Sequence, residues 1–347
     1  KSDVLFSFDK ENWEGVNSYS YQGHVIIPPH TKIYLINDTD VDLEAYGNNR
    51  IYNLFHVYKP DGDWDSGDTE KYNIGGNLNK LVYNWKENVI NVKTTAAFYG
   101  LFFRTLVVDA SELILPSKKL TQQCYYSMFE QCDYLEKAPK LPATKLARTC
   151  YYQMFRHCPN LKVAPPELPA TVLYDFCYQY MFYGCASLKE TPKFYNQTNA
   201  YNSCAGMFSY CTSLEIAHEL PATVVADGCY VTMFSNCSSL KKVPTILPAT
   251  KLVQRCYDHM FFYCTSLEIA PELPATILFK DCYDGMFHHC ESLRYIKCLA
   301  TNPDTSNVYL WTQGIETEGT FIKHPNIEWE IGQNGIPSNW EIIDYTE

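Results

Sequence analysis

Apolar and polar positions alternate along the second half of this chain in a fixed order. Cys150, Tyr151, Met154, Phe155 and Cys158 stand at i, i+1, i+4, i+5 and i+8. That spacing predicts one apolar face of an α-helix. A short block follows, Leu161 to Ala164, closed by Pro165-Pro166, and it suits a short strand. A Leu-Pro-Ala-Thr run then turns the chain back, as at residues 141–144, 168–171, 220–223, 247–250 and 273–276. Its proline breaks a strand ladder and disfavours helix before it.

The whole unit repeats. The seven methionines, Met128, Met154, Met181, Met207, Met233, Met260 and Met286, lie 26 or 27 residues apart, each followed by Phe and, seven residues on, by Leu. A period of this length marks a solenoid or array. A strand and a helix per period predict an α/β leucine-rich-repeat solenoid, with short parallel strands on the concave face and helices on the convex face. No unit can bury its own apolar face, so stacking must supply the core.

Fourteen of the fifteen cysteines fall in two columns of the same repeat, Cys124 to Cys282 and Cys132 to Cys290. The pairs stand seven or eight apart, about 12 Å along a helix, and packed helices lie roughly 8–10 Å apart. Disulfides need Cα atoms within about 7 Å. Buried free thiols acting as small hydrophobes therefore fit better than a disulfide scaffold. Zinc fits less well, because no cysteine pair is two to four apart.

Three regions follow. Residues 1–93 lack the period and carry short apolar runs between turn residues, which predicts a small all-β, sandwich-like domain. Residues 94–298 form the solenoid, with a degenerate cap repeat at about 94–116 and then seven repeats. Residues 299–347, rich in Gly, Asn and Trp, read as an irregular or β-hairpin segment capping the open end. In the fourth unit, Phe194 to Asn199 replaces the Leu-Pro-Ala-Thr run and Ala205 replaces the column Tyr.

The formal net charge is −11 and no basic run exists, so nucleic acid and anionic membrane are poor partners. No segment approaches 18 apolar residues, so no transmembrane segment is expected. The chain opens at Lys1 on a strand-like run and reads as a mature or trimmed chain whose export signal has been removed.

The motif C-Y-x-x-M-F-x-x-C-x-S-L, joined to A-P-x-L-P-A-T, resembles the BspA-like leucine-rich repeats of bacterial cell-surface proteins. Trp311, Gly314-Ile315, Gly319 to Lys323 and Gly335 to Trp340 are similar to a segment that often closes such arrays. The resemblance covers roughly residues 95–347. It implies export, surface display, adhesion or ligand binding, and no catalytic residues.

Candidate binding positions are the two after each column Leu: Glu136-Lys137, Lys162-Val163, Lys189-Glu190, Glu215-Ile216, Lys241-Lys242, Glu268-Ile269 and Arg294-Tyr295. Their mixed charges suit either a protein-binding face or a solvated sheet. The Tyr column could stack sugars, but it lies beside the Cys column, where packing explains it better, with ring buried and hydroxyl wet. Asp61, Asp63, Asp65 and Asp68 alternate like a calcium loop. Ser66 and Tyr72 stand where an EF-hand needs Gly and Glu, so an acidic turn is the simpler reading and no cofactor is expected. His157, His259, His288 and His289 fall in the repeats, and Cys290 adjoins His289. A ladder of buried thiols is nonetheless the wrong setting for a nucleophile.

The expected function is a non-enzymatic cell-surface protein, acting as a monomer, that mediates adhesion or binds a host or bacterial surface protein through its solenoid. The alternative is a glycan-binding accessory protein of a nutrient-uptake system, with its site in residues 1–93.

Overall fold

The computed structural model describes residues 4–7, 14–16, 34–37, 72–78 and 95–346. Strands β1 (Val4–Ser7), β2 (Glu14–Val16) and β3 (Tyr34–Asn37) form an antiparallel sheet in the order β2-β1-β3. The rest of the expected β domain lies outside the described residues, apart from β4 (Tyr72–Asn77). Gly75-Gly76-Asn77 lies inside this strand. β4 pairs in parallel with β5 (Val107–Ile114), the first strand of the stacked region.

From residue 95 the chain is a repeat solenoid of stacked coils. One expectation is corrected here: the repeats contain no α-helix. The segment from Cys124 to Cys132 is a run of turns whose amides alternate between two partners. The N–H groups of Cys124, Tyr126, Met128, Glu130 and Cys132 donate to the carbonyls three residues earlier. Those of Tyr125, Ser127, Phe129 and Gln131 donate to Cys150, Tyr152, Met154 and Arg156 of the next coil at 2.8–2.9 Å. An α-helix would close every bond on the residue four earlier and leave nothing for its neighbour. Here half the donors are spent on stacking, so the coils are joined by backbone as well as by side chains.

The alternation requires left-handed backbone every fourth residue. In the first repeat it falls at Gln123 (φ 58°), Ser127 (φ 51°) and Gln131 (φ 60°), and the columns persist to Asp281, Gly285 and His289. Such angles are uncommon outside glycine. Glycine occupies the column where the previous coil's side chain lies over it. A Cβ on Gly206 would meet the Tyr180 ring at 2.4 Å.

The rest of each coil is extended and touches its neighbours through parallel bridges in two rows. One follows the column Leu, as in Asp109↔Lys137↔Val163, Glu190↔Ile216↔Lys242 and Ile269↔Tyr295. The other follows the Leu-Pro-Ala-Thr run, as in Val172↔Thr198↔Val224 and Lys251↔Ile277. Prolines keep these strands short: β6 (Glu167–Leu168) lies between Pro166 and Pro169, β7 (Lys193–Phe194) follows Pro192, and each has two residues.

Every Met, Phe, Leu and Cys of the repeat columns is buried. The column rings stack from Phe102 on Phe129 through to Phe261 on Phe287, with centroids 5.1–5.8 Å apart. Phe98 continues the Tyr ladder by stacking on Tyr125, so residues 96–115 carry a coil of the same kind without cysteines. In the fourth unit Asn196 and Asn199 are both buried, and Asn196 Nδ2 donates to Asn199 Oδ1 at 2.7 Å.

All fifteen cysteines are buried and unbridged. The second column is also bonded: each thiol from Cys132 to Cys290 donates to the carbonyl of a Phe in the preceding coil, at 2.8–3.1 Å.

The tail is not a hairpin. β8 (Tyr295–Cys298), β9 (Gly319–Lys323) and β10 (Trp340–Asp344) are parallel, in the order β10-β9-β8. They continue the stack at 21–25-residue spacing, set by the register Tyr295↔Thr320 and Glu341↔Thr320. Trp311 closes the aromatic ladder, stacked on Tyr283 and Trp329 and donating its indole N–H to the Gly335 carbonyl at 2.8 Å.

Candidate functional sites

The row after the column Leu places most of its candidate residues at the surface. Lys137, Lys162, Lys189, Glu190, Glu215, Lys241, Lys242, Glu268 and Arg294 are exposed; Glu136 and Tyr295 are half-buried. The period aligns them, and ion pairs join one coil to the next. Lys137 meets Asp109 at 2.7 Å, Lys162 meets Glu136 at 3.0 Å, Lys189 meets Glu215 at 3.7 Å and Arg294 meets Glu268 at 3.9 Å. His218 reaches Glu190 at 3.3 Å. Exposed pairs like these contribute little to stability, about 0–1 kcal/mol each, but they neutralise most of the row. Among the described residues Lys241 and Lys242, in the fifth coil, form no ion pair, so positive charge is concentrated there. Exposed Val163 and Ile269 interrupt the charges with apolar surface.

The tyrosine column is core. Tyr125, Tyr151, Tyr178, Tyr230, Tyr257 and Tyr283 are about 1 % exposed, which rules out a sugar platform built on their faces. The expectation of a wet hydroxyl fails as well, since the Tyr151 hydroxyl is buried with no hydrogen-bond partner. Burial pushes the thiols up, to about 12 at Cys132, Cys150 and Cys185. Cys290 is bonded to the Phe261 carbonyl, whereas His289 stacks on Tyr263 and faces Glu291, so the two form no dyad. The acidic turn Asp61, Asp63, Asp65 and Asp68 lies outside the described residues.

A second cluster sits on the turn ladder of the sixth and seventh coils. Asp258, His259 and Asp284 bring their ligand atoms within 4.8 Å of one another. They share a surface pocket of about 500 Å³ with Thr232, Gln254, Arg255 and Asp281. Arg255 Nε bonds Asp258 Oδ2 at 2.6 Å, and His259 Nδ1 bonds Asp258 Oδ1. Burial and the neighbouring Asp258 and Asp281 hold the Asp284 carboxyl above its usual value, against the pull of His259. The signal for this cluster was in the sequence. Asp258 and Asp284 stand one period apart, as do Arg255 and Asp281, so the repeat itself stacks them.

No protein-family model matches the chain, and no curated protein matches it. A solved structure similar to it is that of a leucine-rich repeat protein from Bacteroides ovatus ATCC 8483. The two share 17% identity with a TM-score of 0.37, over 73% of this chain and 68% of the other. The stacked coils themselves establish the repeat solenoid.

Proposed function

We propose that this chain is a non-enzymatic, exported cell-surface protein that binds a host or bacterial surface protein through the row after the column Leu. One observation carries the reading: the period sets exposed charged and β-branched side chains in register on a backbone-bonded scaffold. Neighbouring strands lie about 4.8 Å apart, so seven coils present roughly 30 Å of such surface. Solenoids use extended faces of this kind for binding. The non-enzymatic reading draws support from the thiols, the chain's most nucleophilic groups, all of which are buried.

The test uses the full chain against immobilised purified matrix proteins and mucin glycans. The expected result is saturable binding to a protein, weakened by salt and reduced at least tenfold by Lys241→Glu with Lys242→Glu. Binding confined to glycans and indifferent to those substitutions would overturn this reading in favour of a sugar site elsewhere, such as residues 1–93.

A further inference from the structure

We propose that Asp258, His259 and Asp284 bind one divalent transition-metal ion of the zinc class, bridging the sixth and seventh coils. The donors are two carboxylates and one imidazole. Calcium takes six to eight oxygen ligands, whereas imidazole beside carboxylates suits zinc and its neighbours. Bonds of about 2.0–2.2 Å to a tetrahedral ion place the donors roughly 3.4 Å apart. The present spread, within 4.8 Å, closes by modest rotation of the partly exposed His259 and Asp284 side chains. The pocket leaves a fourth position open to water.

Two further observations point to a cation. Asp284 Oδ1 is buried and has no hydrogen-bond partner among the described residues. A buried carboxylate oxygen without a donor is costly, and an ion between the coils would satisfy it. The local charge is also unbalanced. Asp258, Asp281 and Asp284 line the pocket against Arg255 as its one arginine or lysine, and the repeat stacks Asp284 on Asp258. Arg255 occupies Oδ2 of Asp258, and Oδ1 faces His259 Nδ1, so an ion would replace the proton those two atoms share. The His259 ring lies face-on over Gly285, and its Nδ1 is turned to the Asp258 carboxylate.

The site is separate from the proposed binding row, so its test does not depend on that function. Zinc chloride is titrated calorimetrically into the full, reduced chain. One equivalent should bind, and Asp284→Asn or His259→Gln should each weaken binding at least tenfold, while His289→Gln leaves it unchanged. Zinc should raise the melting temperature of the wild-type chain and leave that of Asp284→Asn unmoved. Asp284→Asn removes a stacked like charge, so its metal-free melting temperature should not fall, which separates lost binding from lost folding. Crystals soaked in zinc chloride should show anomalous density between the three side chains. The absence of saturable binding, full affinity in Asp284→Asn, or density only at other sites would each overturn the proposal.

Discussion

The Cys158 thiol donates to the Phe129 carbonyl of the preceding coil at 3.0 Å. That carbonyl already accepts the Cys132 N–H at 3.2 Å. One acceptor thus ties the end of its own turn run to the next coil, and the pattern recurs along the stack. The column calls for a small apolar side chain with a weak donor, which describes cysteine.

Cys158→Ala keeps the Phe129 carbonyl bonded to Cys132 and removes the second donor and one buried atom. The expected cost is about 1 kcal/mol. Cys158→Leu must fit added volume into a closed interior and should cost about 1–3 kcal/mol. Urea denaturation checks the order; equal stability of the two variants would refute the close packing described here.

The thiols also set an alkaline limit. In the folded chain burial raises Cys132, Cys150, Cys185, Cys229 and Cys298 from 9.0 to about 12. Below pH 9 the thiols are protonated in both states and stability is unaffected. Above it the unfolded chain releases protons that the folded chain retains, so stability falls. Each thiol contributes about 1.4 kcal/mol of loss per pH unit. Fifteen such groups exceed a usual total of roughly 5–15 kcal/mol. Near-UV circular dichroism in reductant should show unfolding between about pH 9 and 10, and a chain still folded at pH 11 would contradict this. At neutral pH a thiol reagent should find almost no reactive cysteine until denaturant is added.

Tyr151 buries a hydroxyl without a partner while its ring stacks between Tyr125 and Tyr178. Tyr151→Phe keeps the stack and removes the unsatisfied group. The melting temperature should rise, by the equivalent of about 1 kcal/mol. A fall would mean that the hydroxyl has a partner.

Gln153 lies in a left-handed column with φ 57°. Gln153→Gly relieves about 1–2 kcal/mol of backbone cost and adds roughly 0.5–1 kcal/mol of unfolded-chain entropy. Chemical denaturation should therefore show a gain of about 0.5–1 kcal/mol. In an α-helix the same change would cost about that much.

Much of this architecture is legible in the sequence. The Met, Phe, Leu and Cys columns foretell the register, the interior and the unbridged thiols. The turn ladder is harder to foresee, for a physical reason. Positions i, i+1, i+4, i+5 and i+8 fit a period of 3.6 as well as one of four, and nine residues are too few to separate them. The glycines at 184, 206, 228 and 285 were the overlooked sign, since an interior helical glycine costs about 1 kcal/mol. The binding row is legible as positions, but its ion pairs depend on which coil each charge meets. The Asp258 and Asp284 pair appears only when the period is applied to polar residues too.

The sharpest test of the turn ladder is the stability of Gly206→Ala. Gly206 has φ 60°, and an added Cβ would meet the Tyr180 ring. The stacked-coil structure predicts a loss of about 2 kcal/mol or more in urea denaturation. A helical repeat would instead gain up to about 1 kcal/mol from the same substitution, and a measured gain would contradict the account.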